Sequence, residues 1–402
     1  MRRSLPLLFV LLALAPAARG ADPKLADSLQ PFVEKNQLAG AVVLVAGPDK
    51  VLAVETVGHA NREAKTAMAA DSMFWIASMT KPMTAAALMM LVDEGKVKLD
   101  DPIEKYLPEF KGQWMIAELG KEQITLKKPK RSPTVRDCLR HTSGMPFKTI
   151  LEDPTIDKLL LKDAVRSYAI TPLQYEPGEK HVYSNAGINT AGRIIEVASG
   201  MSYEDFMAKR LFAPLGMTET VWRLTPAQLK RLATTYRPGK DQALEAMAIA
   251  PLAQPLSDPT RQPCPGGGLF STAKDVAAFG QMILRGGTTA SGQRLLSEVA
   301  VREMTGTQTG DLLNKGKGEN GYGLGFSTTK KAKPPGAEKI DRFDVAVAGP
   351  CGHGGAYATN LWINPDTKLV TVYMVQHAGF PGEGGKARAA FEKAAAELFG
   401  KK

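Results

Sequence analysis

Two polar side chains interrupt the apolar stretch "FWIASMTKPMTAAALMMLVDEG", residues 74 to 95: Ser78 and Lys81. Three residues apart on a helix means one face and one turn. Met83, Ala85 to Ala87 and Leu88 to Val92 leave the following helix no polar side in its middle, so it is expected to be buried. Pro82 is tolerated in its first turn, and Gly95 reads as its C-terminal stop. A serine hydroxyl is a poor nucleophile until a nearby base takes its proton. Lysine can be that base if its pKa falls, and burial plus the positive end of a helix both push it that way. Backbone N–H groups at the same helix end can stabilise developing negative charge. The plainer reading is a serine N-cap followed by a lysine whose stem lies along apolar surface.

The spacing alone does not choose, because S-x-x-K occurs three times. "STAK" (271 to 274) opens a helix, where Ser271 is most simply an N-cap. "STTK" (327 to 330) runs from a strand into a basic loop, where both residues should be exposed. Of the three, "SMTK" leads into a wholly apolar helix.

Two further segments hold residues of the right types. In "EPGEKHVYSNAG" a Pro-Gly turn precedes Tyr183 and Asn185, and the helix "INTAGRIIEVASG" follows. Tyr183 there is a candidate second proton carrier, and Asn185 can both accept and donate hydrogen bonds. The alternative is a packed Tyr183 and an N-capping Asn185. In "GPCGHGGAYATNLWINP", Gly352, Gly354 and Gly355 surround His353 and permit close backbone approach beside a strand, along which a ligand could lie. The alternative is a bend with His353 exposed. Histidines 59, 141, 181 and 377 occur singly and read as local.

The elements that must position these residues follow from periodicity. "PKLADSLQPFVEKNQL" is helical, and "AGAVVLVA" and "KVLAVETVG" form a hairpin. In "KLDDPIEKYLPEF", Asp100 and Asp101 belong to a turn and helix start. Residues 134 to 250 read as mainly helical, and "STAKDVAAFGQMIL" as another helix. Strands return in "GYGLGFS", "GHGGAYATNLWINP" and "KLVTVYMVQ", and "KARAAFEKAAAELFG" closes the chain as a helix. The expected fold class is α/β of the α+β type: an antiparallel sheet completed by both termini and flanked by helices, with a mainly helical inserted domain. The expected boundaries are 21–82 with 265–402 for the sheet domain and 83–264 for the helical one, the site lying in the cleft between them.

Residues 1–20 have a basic start, an apolar core and a small-residue end, the form of an export signal cleaved before Ala21. A periplasmic or secreted protein is therefore expected, without a membrane span. The net charge is +10, and loss of Arg2, Arg3 and Arg19 with that segment leaves +7. The excess lies in "KKPKR" (127 to 131) and "KKAKPPGAEK" (330 to 339), read as solvated loops. No nucleic-acid motif accompanies them, and an anionic cell envelope is the more fitting neighbour. Cys138, Cys264 and Cys351 fit no zinc pattern. "PCPGGG" and "PCGHGG" make Cys264 and Cys351 the expected pair if one bridge forms, against three buried thiols. There is no G-x-S-x-G and no H-E-x-x-H, "GKGENG" lacks the flanking elements of a dinucleotide site, and "GGGLFST" lacks the Gly-Lys of a P-loop.

Taken in order, Ser78-x-x-Lys81, Tyr183-x-Asn185 and His353-Gly-Gly resemble the serine β-lactamase-like superfamily, in its class C branch with the D-alanyl-D-alanine peptidases and family VIII carboxylesterases. "LRHTSGM", "LFAPLGM" and "GGGLFSTAKDVAAF" extend the resemblance over nearly the whole chain after the signal. It implies that Ser78 forms an acyl-enzyme that water hydrolyses, with Lys81 and Tyr183 sharing the proton work. It further implies an oxyanion hole from the Ser78 and Ala356 amides, Asn185 holding Lys81 and contacting substrate, and no metal or cofactor. Many class C β-lactamases carry Lys-Thr-Gly where this chain has His353-Gly354-Gly355. Exchange of a cation for a group largely neutral at pH 7 tilts the expected substrate towards an uncharged small ester or amide. A β-lactam or peptidoglycan-type peptide is the alternative, and a catalytically silent binding protein on this fold is a second one.

Overall fold

The computed structural model of the chain describes residues 24–240, 243–316, 320–329, 349–379 and 383–400. The export segment and the second basic run lie outside the described residues.

Helix α1 (Gln30–Glu34) leads into β1 (Gly40–Ala46), which is buried at every position. A strand apolar throughout needs cover on both faces, and β1 has it. Val42, Leu44 and Ala46 enter the main core, while Ala41, Val43 and Val45 enter a second one. A hairpin joins β1 to β2 (Val51–Asn61), which pairs in turn with β3 (Thr66–Ala67). Next come β4 (Phe74–Trp75) and helix α2 (Thr80–Asp93), buried from Thr80 to Leu91 as its composition requires. Each large apolar side chain sequestered there contributes about 1.5–3 kcal/mol.

Residues 134–250 are less helical than their periodicity predicts. A hairpin of β5 (Met115–Leu119) and β6 (Ile124–Lys127) precedes helices α3 (Val135–Leu139), α4 (Leu161–Ile170) and α5 (Asn185–Ser199). A second hairpin, β7 (Thr235–Pro238) and β8 (Leu244–Met247), lies within the segment read as helical. Pro238 and Gly239 break a helix there, and Tyr236 N–H bonds the Gln376 carbonyl instead. Strand β9 (Phe270–Ser271) pairs antiparallel with β4 and opens onto the helix Ala273–Leu284.

The end of the chain supplies β10 (Asn320–Tyr322), β11 (Ser327–Thr329), β12 (Cys351–Gly354), β13 (Asn360–Asn364) and β14 (Leu369–Met374). One eight-stranded antiparallel sheet results, in the order β10-β11-β12-β13-β14-β1-β2-β3. Within it β1 pairs with β14, Val43 opposite Tyr373, so the two chain ends complete one sheet. The helices α2 and Ala273–Leu284 share the main core on one face. The C-terminal helix Glu383–Phe399 covers the other, Phe391 stacking on Tyr373 at 5.9 Å.

Three local expectations are corrected. Cys264 and Cys351 do not pair: all three cysteines are buried free thiols, and burial pushes Cys264 and Cys351 up to about 12. Cys264 rests against the Asn189 side chain, while Cys351 is held in β12 opposite Ile363. Thr272, not Ser271, caps the helix Ala273–Leu284; its backbone is extended and its hydroxyl accepts from Asp275 N–H. Ser327 is half-buried in β11 rather than exposed, because it pairs with Gly352; Lys330 lies outside the described residues.

Candidate active site

Ser78 sits in a tight turn, Ala77–Met79, between β4 and α2. Ala77 takes a left-handed conformation, φ 45°, which costs a residue with a side chain on the order of 1–3 kcal/mol. The Thr80 hydroxyl fixes that turn by donating to the Ala77 carbonyl at 2.7 Å. The strained turn leaves Ser78 partly exposed while its neighbours Ala77 and Met79 are buried.

Lys81, the second residue of α2, is fully buried. Its Nζ lies 2.8 Å from Asn185 Oδ1, 2.5 Å from the Gly266 carbonyl and 3.0 Å from Ser78 Oγ. Burial without a facing carboxylate brings its pKa down to about 7. A neutral amine has two N–H donors and one lone pair. Two carbonyl oxygens can only accept, so they take both donors, and the lone pair is left for the hydroxyl of Ser78. So held, the amine is placed to accept a proton from Ser78.

Asn185 is placed by the start of α5. Ser184, not Asn185, is the N-cap: its hydroxyl accepts from Gly187 N–H at 3.1 Å and donates to the Pro146 carbonyl at 2.6 Å. Asn185 is thereby the first helical residue, its side chain turned to Lys81. Tyr183 lies two residues earlier, its hydroxyl on the Ser78 side of the site and its ring 4.6 Å from Lys81 Nζ. Burial pushes its pKa up, which keeps it a phenol at neutral pH.

His353 is buried, not exposed, and belongs to a network that the sequence does not reveal. Its Nδ1 lies 2.7 Å from the Gly354 carbonyl, an acceptor, so that nitrogen carries the proton and Nε2 accepts. Ser184 N–H donates to His141 Nδ1, so His141 carries its proton on Nε2, 3.0 Å from the Tyr322 hydroxyl. Tyr322 thus receives from His141 and donates to His353 Nε2 at 3.1 Å. Tyr183 stands farther off, 3.4 Å from the same nitrogen, and remains available to Ser78. Burial holds His353 down to about 3 and His141 well below its ordinary value, so both are neutral at pH 7.

The glycines of the third motif differ in what they do. A Cβ on Gly355 would meet Thr359 Oγ1 at 2.1 Å and the Ile76 carbonyl at 2.6 Å, so its absence lets the end of β12 approach the serine turn. A Cβ on Gly354 would meet nothing closer than 3.6 Å, and no close approach requires a glycine there. Among the described residues neither the Ser78 nor the Ala356 N–H is engaged by a backbone carbonyl. Both residues line a cavity of about 310 Å³ with Trp75, Phe147, Ile156 and Pro251, and Lys148 is on its wall, paired with Asp153. Among the described residues no three of His, Cys, Asp and Glu gather as metal ligands.

Sequence reasoning missed three contributors. Gly266 acts through its main chain; the triple glycine 266–268 was the available signal, and Gly267 accepts from Trp75 Nε1 at 2.7 Å. His141 and Tyr322 are distant in the chain; His141 lies within "LRHTSGM", but nothing in that segment or around Tyr322 joins either residue to His353.

A fold and site of this kind are those of a serine hydrolase of the β-lactamase type. The beta-lactamase family model matches residues 25–395, and the chain belongs to that family of serine hydrolases. Protein Rv1367c of Mycobacterium tuberculosis is 30% identical over 365 residues, covering 87% of this chain and 88% of its own length. Penicillin-binding protein 4* of Bacillus subtilis is 31% identical over 50% of this chain and 43% of its own. Esterase EstB of Burkholderia gladioli is 28% identical over 61% of this chain and 65% of its own. The structure of EstCE1, a hydrolase with promiscuous acyltransferase activity, superposes with a TM-score of 0.75 at 22% identity, covering 92% of this chain and 97% of that one. That likeness establishes the shared fold.

Proposed function

We propose that this protein hydrolyses small uncharged esters or amides through an acyl-enzyme on Ser78, with Lys81 as the principal base. The observation that carries the proposal is the cage of Asn185 Oδ1 and the Gly266 carbonyl, which turns the Lys81 lone pair to Ser78 Oγ. As Oγ attacks the substrate carbonyl carbon, its proton passes to Lys81 Nζ. The carbonyl oxygen, now an anion, is held by the Ser78 and Ala356 N–H groups. Collapse expels the alcohol or amine, which takes its proton back from Lys81 through the Tyr183 hydroxyl. Water then attacks the acyl-enzyme, gives its proton to the same base, and Ser78 leaves reprotonated. Tyr183 serves as relay rather than base, because its raised pKa leaves no phenolate to accept.

The preference for an uncharged substrate rests on His353, neutral and already bonded to Tyr322, with Gly354 and Gly355 beside it. A carboxylate-bearing β-lactam or peptide is the second reading. Lys148 on the cavity wall favours it, but Asp153 already balances that charge. Export through residues 1–20 is part of the proposal and would put the enzyme outside the cytoplasm.

The test is hydrolysis of p-nitrophenyl butyrate by wild type and Ser78→Ala, with nitrocefin in parallel. Expected is a loss of about 10⁴-fold or more in the variant, with wild type favouring the ester. Equal activity in both proteins would remove Ser78 as nucleophile. A faster nitrocefin reaction would put the β-lactamase reading first.

A further inference from the structure

The β5–β6 hairpin projects from the protein with an unusual face. Its base is fixed to the segment before the Tyr183 loop: Ile116 N–H donates to the Leu173 carbonyl at 2.8 Å and Leu173 N–H to the Trp114 carbonyl at 2.9 Å. Pairing sets Ile116 opposite Leu126 and Leu119 opposite Ile124. Ile124 and Leu126, two apart on one strand, share a face. A bulge at Ala117 shifts β5 by one residue, so Ile116 and Leu119 fall on that same face despite being three apart. Ile116 is half-buried at the base, and solvent reaches the other three: Leu119 is 71% exposed, Ile124 57% and Leu126 41%. Trp114 continues the row at the base, 48% exposed, with Lys128 Nζ 3.7 Å above its ring.

Charge surrounds this apolar row. From 111 to 131 there are six basic residues and two acidic ones, Glu118 and Glu122. Lys127 is paired with Glu176 and Arg131 with Asp137. Lys111, Lys121, Lys128 and Lys130 are exposed and their ammonium groups form no ion pair among the described residues, although Lys130 N–H bonds the Glu176 carboxylate and Lys128 Nζ donates to the Gly112 carbonyl. Glu118 faces away from the row, opposite Thr125. "KKPKR" is therefore part of a strand and its continuation, flanking apolar side chains, rather than a plain solvated loop.

We propose that this hairpin face docks on an anionic phospholipid bilayer, lying along it. The aliphatic row would enter the boundary between headgroups and acyl chains, Trp114 would sit at that boundary, and the four lysines would meet lipid phosphates. A second copy of this chain fits worse: self-pairing of one face about a twofold axis would set the same exposed lysines against each other.

The experiment is co-sedimentation of the full chain with vesicles of phosphatidylcholine alone or with 30% phosphatidylglycerol. Two triple variants accompany it, Leu119→Ser/Ile124→Ser/Leu126→Ser and Lys121→Gln/Lys128→Gln/Lys130→Gln. All six side chains are exposed, so thermal midpoints should match wild type and report folding. Expected is binding to the anionic vesicles, weakened at least tenfold by the first triple and about 100-fold by the second, and reduced by salt. Equal binding to both vesicle types, no binding, or insensitivity to either triple overturns the proposal. So does a concentration-dependent dimer in sedimentation velocity that the first triple disperses, which would give the face to a second copy.

Discussion

The four-residue pattern at 78–81 is repeated at 271–274, and the two copies are structural neighbours. The first follows, and the second begins within, a strand of one two-stranded ribbon, Phe74 paired with Ser271 and Trp75 with Phe270. In each the lysine is the second residue of the helix that follows. The fates of the side chains diverge. Ser78 stands in a strained turn with its hydroxyl on Lys81. Ser271 is buried in the strand itself, bonded at 2.8 Å to the Thr220 hydroxyl, and Thr272 takes the cap. Lys81 is enclosed by carbonyls, whereas Lys274 is exposed. Spacing and helix register are therefore insufficient. Chemistry depends on the backbone before the helix and on what other segments bring to the lysine.

The largest expected effect separates the two lysines. Lys81→Met should lower kcat/KM for p-nitrophenyl butyrate by about 10³-fold or more, the scale of a lost general base. Lys274→Met should leave it within about twofold, as exposed substitutions away from a site do. Comparable losses in the two variants would mean that the lysines contribute through helix stability alone, and the contrast between the copies would fail.

A pH profile sharpens the same contrast. Lys81 accepts a proton only when neutral, and its pKa is brought down to about 7. Below that value the neutral fraction falls tenfold per pH unit, so log kcat/KM should rise with unit slope up to about pH 7 and then level off. An acid limb centred near 10, where an exposed lysine titrates, would show that enclosure does not tune the amine.

Much of this arrangement was legible because burial leaves a compositional trace. The unbroken apolar run of α2 announced a buried helix, and the apolar run of β1 a strand covered on both faces. Tyr183 and Asn185 were legible as the chain's one Tyr-x-Asn, set between a Pro-Gly turn and a helix. What escaped has no such trace. The Gly266 carbonyl is main chain, and the φ of Ala77 is imposed by packing against alanine's own preference. His141 and Tyr322 meet His353 from opposite parts of the chain, so no local pattern joins them. The β5–β6 hairpin escaped because the Ala117 bulge breaks the strict alternation that marks a strand. The expected Cys264–Cys351 bridge rested on similar flanking residues, which say nothing of the distance between their strands and loops.

The smallest effect concerns the silent copy. Ser271→Ala removes one buried hydrogen bond and leaves the Thr220 hydroxyl its other contact, Asp275 Oδ2 at 2.9 Å. Because Thr220 keeps a partner, the loss should be near the net value of one bond, about 1 kcal/mol, and not the larger penalty of a stranded polar group. Urea unfolding should therefore show a slightly lower midpoint at unchanged slope, with ester hydrolysis at the wild-type rate. A drop in kcat at unchanged stability would mean that Ser271 acts across the ribbon on the turn at Ser78. The paired strands would then couple the two copies, and the second could no longer be treated as an inert repetition of the first.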